Sequence, residues 1–123
     1  MYFYIIEHML EVQKVADKDY LGALEQIVML AVLRLSPNSY GMTIRREIAE
    51  RTGRDISIGA VYATLDRLEE KGYLSSSIGG ASADRGGRAK KYFKIRAEGQ
   101  RVLRDSQQAI SSMQAGFEPV LGV

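Results

Sequence analysis

The chain of 123 residues has no cysteine and a single histidine, His8. Without thiols it has neither a disulfide framework nor a thiolate metal site, which fits a reducing compartment and an expected cytoplasmic location. One histidine on a short N-terminal segment has no second ligand beside it, so core packing or exposure explains it better than metal binding or catalysis. Long apolar runs are lacking too. The opening MYFYIIEHML is apolar, but it has no basic leader of a signal peptide and is far short of the ~20 residues that a spanning helix needs, so no membrane segment is expected. GGASADRGGR is glycine-rich without the Gly-Lys-Ser/Thr ending of a phosphate loop, and no paired carboxylates suggest a cleft, so no residue is assigned a catalytic role and no cofactor is expected. No internal repeat, low-complexity tract or long linker divides the chain.

What remains is enough for one compact domain, since 46% of the residues are hydrophobic. The net charge of +2 conceals an uneven distribution. Residues 1–25 carry Glu7, Glu11, Asp17, Asp19 and Glu25 against Lys14 and Lys18, whereas 84–96 carry Arg85, Arg88, Lys90, Lys91, Lys94 and Arg96 against Asp84 alone. A basic sector of this kind is either a solvated face or the footprint of a polyanion site.

Apolar spacing predicts the elements. Ile5, Met9, Val12 and Ala16 share one face of an amphipathic N-terminal helix over residues 1–18. Asp19 offers a second helix start, and Leu21, Leu24, Ile27, Val28, Ala31, Val32 and Leu35 cover more than one face, as in a central, largely buried helix. Pro37 and Gly41 punctuate. A short helix through MTIRREIAERT turns Ile44, Ile48 and Ala49 inward and stops at Gly53. The next stretch, SIGAVYATLDRLEEKGYL, has Ser57 as N-cap, a buried stripe of Val61, Leu65 and Leu68, and Gly72 as left-handed stop. YLSSSIG and KKYFKIR then read as two strands joined by a Gly-rich tip, with Phe93 and Ile95 on one face and Tyr92, Lys94 and Arg96 on the other. The tail from Ala97 returns to helix, with Leu103, Ile110, Met113 and Phe117 spaced like a coiled-coil seam.

Three helices followed by a two-stranded hairpin bearing arginines is the order of a winged helix-turn-helix. The expected fold is therefore mainly α with a two-stranded β-hairpin wing, in three parts: an N-terminal amphipathic helix over 1–18, a winged helix-turn-helix DNA-binding domain over 19–96, and a C-terminal dimerisation helix and tail over 97–123. The third helix has little bulk opposite its buried stripe. Gly59, Ala60, Ala63 and Arg67 lie there, with Tyr62 and Thr64 on the flanks. Small residues let a helix backbone approach base edges and phosphates, and the first-turn N–H groups beside Ser57 favour an anion. Arg85, Arg88, Lys90 and Lys91 of the wing would reach the flanking backbone or minor groove.

Three separated motifs, LGALEQIVMLAVLRLSPNSYGMTI, SIGAVYATLDRLEEKGYL and GGRAKKYFKIRAEGQRVL, resemble the PadR family of bacterial transcriptional regulators over roughly Leu21–Leu103. Tyr40-Gly41, Gly59, Tyr62, Thr64-Leu65, Arg67-Leu68, Gly86-Gly87-Arg88 and Lys91-Tyr92 agree with the family's pattern. Met42 stands where a second tyrosine is common, Ala63 replaces a proline, and Phe93 replaces one wing aromatic. The resemblance implies a homodimeric DNA-binding regulator, usually a repressor, paired through its C-terminal helix together with N-terminal helices. It also implies a possible small hydrophobic or phenolic effector, for which this chain has room only at a dimer interface. A two-fold dimer would read a pseudo-palindromic operator with half-sites about one helical turn apart. The alternative is a winged-helix protein-interaction module without operator specificity. The basic wing and the lack of exposed aromatics across the reading face weigh against it.

Overall fold

Helix α1, Ala23–Leu35, owes its central place to apolar residues on several sides: Val28, Met29 and Val32 are fully buried, Leu24 and Ile27 pack at the edge of the core, and Leu30 and Leu33 face outward. In this computed structural model, which describes residues 20–79 and 89–122, the helix starts later than the expected Asp19. Its cap is Gly22, whose backbone N–H donates to Glu25 Oε1 at 2.9 Å, a carboxylate of the first turn reaching back to the cap. Asp19, the N-terminal amphipathic segment and the hairpin tip with Arg85 and Arg88 lie outside the described residues.

Helix α2, Gly41–Thr52, places Ile44 and Ile48 against α1 and stops at Gly53, which is left-handed at φ 74°. Helix α3, Ile58–Glu70, begins where Ser57 Oγ accepts from Ala60 N at 3.1 Å. At its end Gly72 (φ 83°) permits two bonds that close the helix, Gly72 N to Glu69 O and Tyr73 N to Leu68 O, each 2.9 Å. Between these caps Val61, Leu65 and Leu68 are fully buried. Each is worth about 1.5–3 kcal/mol of burial, and Leu65→Ala at their centre should cost ~2–5 kcal/mol because a cavity adds to the lost transfer energy.

Strands β1, Leu74–Gly79, and β2, Lys90–Ile95, pair antiparallel with Leu74 opposite Ile95 and Ser76 opposite Phe93. Leu74 and Phe93 turn into the core, as the alternation requires. The segment ahead of α2 is stitched to the hairpin: Phe93 N donates to Ser39 O at 2.8 Å, and the buried Ser39 hydroxyl donates to Phe93 O. These bonds hold the start of α2 beside the base of the wing.

Helix α4, Ala97–Gln114, then crosses back over the domain, followed by a short α5, Glu118–Leu121. Its first half is core rather than appendage, with Gly99, Val102, Leu103 and Ser106 buried. Gly99 lies so close to the chain that an added Cβ would stand 2.1 Å from the Tyr73 carbonyl oxygen. Two turns later, Ser106 Oγ accepts from Leu21 N at 2.9 Å and donates to Val102 O at 2.7 Å, tying α4 to the entrance of α1. No described helix is long and apolar enough to cross a membrane.

Candidate nucleic-acid interface

The outer face of α3 begins at its cap. Ser57, Gly59, Tyr62, Ala63 and Arg67 are exposed, and Ala60 is half-buried. Nothing lies within 4 Å of a Cβ built on Gly59, so the first turn presents backbone to solvent. The second half of the same face carries Asp66 and Glu70. A polyanion therefore meets little side chain and no carboxylate at the N-terminal half, and two carboxylates at the C-terminal half. Thr64 does not belong to this surface. It is buried, and its hydroxyl donates to Ala60 O at 2.8 Å. The reason is helical geometry: Thr64 falls three residues after Val61 and four before Leu68, inside the buried stripe rather than on its flank.

Tyr62 is the one large side chain on the exposed half, at 42% relative exposure. Its ring lies over the first residue of α2: a Cβ on Gly41 would stand 2.5 Å from Tyr62 Cζ. The Tyr-Gly pair at the start of α2 and the tyrosine of α3, read as separate signals in the sequence, thus meet where Tyr62 lies against Gly41. The missing side chain of Gly41 is what allows the phenol to approach the start of α2.

A cation of the wing reaches this junction through Tyr40, the residue before Gly41. Lys90 of β2 stands over the Tyr40 ring, 4.4 Å from its centroid, and donates to Tyr40 Oη at 3.3 Å. Tyr40 in turn meets Tyr92 edge to face at 5.4 Å. Arg46 on α2, Arg54 in the α2–α3 turn and Lys94 on β2 are exposed, and none of them makes an ion pair among the described residues. Arg46 and Arg54 were missed in the sequence because they fall outside the basic run at the wing.

Two expected contact residues are engaged within the domain. Arg67 Nε is 3.4 Å from Glu25 Oε2, and Lys71 Nζ approaches the same oxygen at 3.6 Å, so a carboxylate of α1 draws the arginine back along α3. Lys91 Nζ is 2.9 Å from Glu69 Oε1, while the Ser76 hydroxyl donates to Glu69 Oε2. The Ser76 bond first, and then Lys91, hold the Glu69 carboxyl below its ordinary range; the bond to Glu69 raises Lys91.

The expected seam on the last helix divides. Leu103 is a core residue at 4% exposure and is withdrawn from any seam, because α4 packs its first half against its own domain. Ile110 and Met113 are exposed on the second half of α4. Phe117 is exposed as well, but it lies beyond the helix end at Gln114 and beyond Gly116, whose φ is 90°, so its heptad spacing is not carried on one helix. Val120 and Leu121 of α5, passed over in the sequence, add further exposed apolar surface at this end.

A family model described as the transcriptional regulator PadR-like family matches residues 29–105. Among curated proteins no sequence matches the chain. Solved structures share its fold. A PadR family transcriptional regulator from Eggerthella lenta is 24% identical with TM-score 0.62, over 98% of this chain and 95% of that one. A PadR-like transcription factor from Bacteroides fragilis is 21% identical with TM-score 0.65, over 89% and 98%. Bacillus subtilis PadR in complex with operator DNA is 17% identical with TM-score 0.55, over 68% of this chain and 45% of that one. With the family match spanning more than half of its length, from the middle of α1 through the first half of α4, the chain belongs to the PadR-like family of transcriptional regulators, which are not enzymes.

Proposed function

We propose that the chain is a sequence-specific DNA-binding regulator that acts as a homodimer and represses transcription from a pseudo-palindromic operator. The observation that carries this reading is the bare first half of α3, with Gly59, Ala63 and Tyr62 exposed, together with the exposed cations Arg46 of α2, Arg54 of the α2–α3 turn, and Lys90 and Lys94 of β2. Ser57 and Ala60 complete the first turn, and Arg85 and Arg88 of the hairpin tip add two cations to the basic run. A duplex needs this combination: cations for phosphates, and a helix that approaches base edges closely. The fold shared with a PadR bound to operator DNA supports it. Pairing through Ile110, Met113 and Phe117 is supported by their exposure in the second half of α4 and just beyond its end. Release of the operator by a small hydrophobic effector held between protomers rests on the family resemblance alone.

The test is selection from a pool of random duplexes. The expected result is enrichment of a sequence with two inverted half-sites about one helical turn apart, ~34–36 Å. Recovery of duplexes with no shared sequence would instead favour a module that binds protein partners.

A further inference from the structure

Glu69, in the last turn of the recognition helix α3, turns a carboxylate to the wing, an unfavourable charge for a surface that meets phosphates. Its neighbours explain its presence. Ser76 of β1 donates to Oε2 and Lys91 of β2 lies 2.9 Å from Oε1, so one carboxylate holds both strands of the hairpin. Those strands are themselves in register there, Ser76 opposite Phe93 and Ile78 opposite Lys91. Lys90, the preceding residue of β2, points to the opposite face and meets Tyr40 at the start of α2. The wing is thus held from two sides, by a tyrosine ahead of α2 and by the last turn of α3.

We infer that Glu69, through Ser76 and Lys91, is a positioning residue that fixes the angle of the wing to the recognition helix, and that Lys91 serves this clasp rather than a phosphate. The inference rests on the DNA-binding reading above and adds a prediction of opposite sign to simple electrostatics. If Lys91 were a phosphate contact, removing the Glu69 charge would free it and tighten duplex binding. If the clasp positions the wing, the same change weakens binding, because the wing must be ordered anew against the duplex.

The experiment compares unaltered protein, Glu69→Gln, Lys91→Met and the double variant, using the duplex enriched from random DNA as probe. Either single change should lower affinity by roughly twofold to fivefold, the range for a partly exposed charge pair, and the double change should lower it no further. Glutamine keeps the size and the acceptor for Ser76, and thermal unfolding checks that each variant is folded. A second readout is independent of DNA. Because the chain has no cysteine, spin labels can be placed at Ser77→Cys on β1 and Glu50→Cys on α2, both exposed. Their distance distribution should broaden on Glu69→Gln. Binding by Glu69→Gln as tight as or tighter than that of the unaltered protein, or an unchanged distance distribution, overturns the inference. Failure of the unaltered protein to bind any duplex would sink the DNA reading instead, and the distances would then decide the clasp alone.

Discussion

Gly41→Ala isolates the contact at the centre of the proposed interface. The new Cβ would stand 2.5 Å from Cζ and 2.6 Å from Cε1 and Oη of Tyr62, where ordinary contact begins at 3.4 Å, so the ring must retreat by about 1 Å. The atoms in the way are the far end of a half-exposed side chain, which swings outward at little cost. Alanine also restricts the unfolded chain, worth ~0.4–1 kcal/mol in favour of the fold. Stability should therefore stay within about 1 kcal/mol of the unaltered protein. The effect should appear in recognition. A direct base contact contributes about 1–3 kcal/mol of discrimination, and a single phenol belongs at the low end, roughly fivefold. Competition anisotropy with selected and scrambled duplexes would read the specificity ratio for Gly41→Ala, Tyr62→Ala and the double variant. Both single changes should lower it, and Gly41→Ala should do nothing further once Tyr62 is gone. Equal losses with and without Tyr62, or a large loss of stability from Gly41→Ala, would show that the phenol is not what glycine 41 serves.

Other changes separate packing from recognition. Gly99→Ala sets a Cβ 2.1 Å from the Tyr73 carbonyl, which is backbone and cannot swing away; the overpacking cost of about 1–3 kcal/mol should outweigh the ~0.5–1 kcal/mol helix gain. The thermal midpoint should fall by several degrees, at roughly 4–8 °C per kcal/mol, and a raised midpoint would mean that α4 is not seated as described. Replacing Ile110 and Met113 together by glutamate should give folded monomers with weakened operator binding, since each side chain is worth about 1.5–3 kcal/mol when fully buried; light scattering that still finds dimers would place the interface elsewhere. Glu69, held below its ordinary value of 4.5 by Ser76 and Lys91, binds fewer protons in the folded than in the unfolded chain near that pH. Its stabilising contribution is complete above the unfolded value and is lost as pH falls through the lower folded value. The gap in thermal midpoint between unaltered protein and Glu69→Gln should therefore shrink below about pH 4.5, and a gap constant to lower pH would contradict the clasp.

Much of the fold is local, and local signals were legible. Ser57, the stripe of Val61, Leu65 and Leu68, and the Gly72 stop define α3 because capping and periodicity act within a few residues. Thr64 shows the limit of reading a face by angle alone: the wheel put it on the flank of the outer face, whereas packing widens the buried stripe to take it in. Gly22 replaced Asp19 as the start of α1 because the cap is made by Glu25 reaching back, a signal that follows the helix start. Leu103 and Ile110 looked alike on a heptad, yet only the crossing of α4 over Tyr73 decides which of them the domain's own core takes. That crossing depends on Gly99, which carries no local signature because its partner is a carbonyl 26 residues earlier. The same holds for Glu69 with Lys91 and for Glu25 with Arg67, where cations expected to face a ligand answer a distant carboxylate.

The most direct test of the central claim is the dependence of duplex affinity on salt. A surface that neutralises several phosphates releases their counterions, so the logarithm of the binding constant should fall linearly with the logarithm of salt concentration, with a slope of about −0.9 for each phosphate contacted. Lys90→Ala and Lys94→Ala together should make that slope shallower by up to about two such contacts and weaken selected and scrambled duplexes alike. Affinity for the selected duplex that does not change between low and physiological salt would contradict the assignment of this face to DNA.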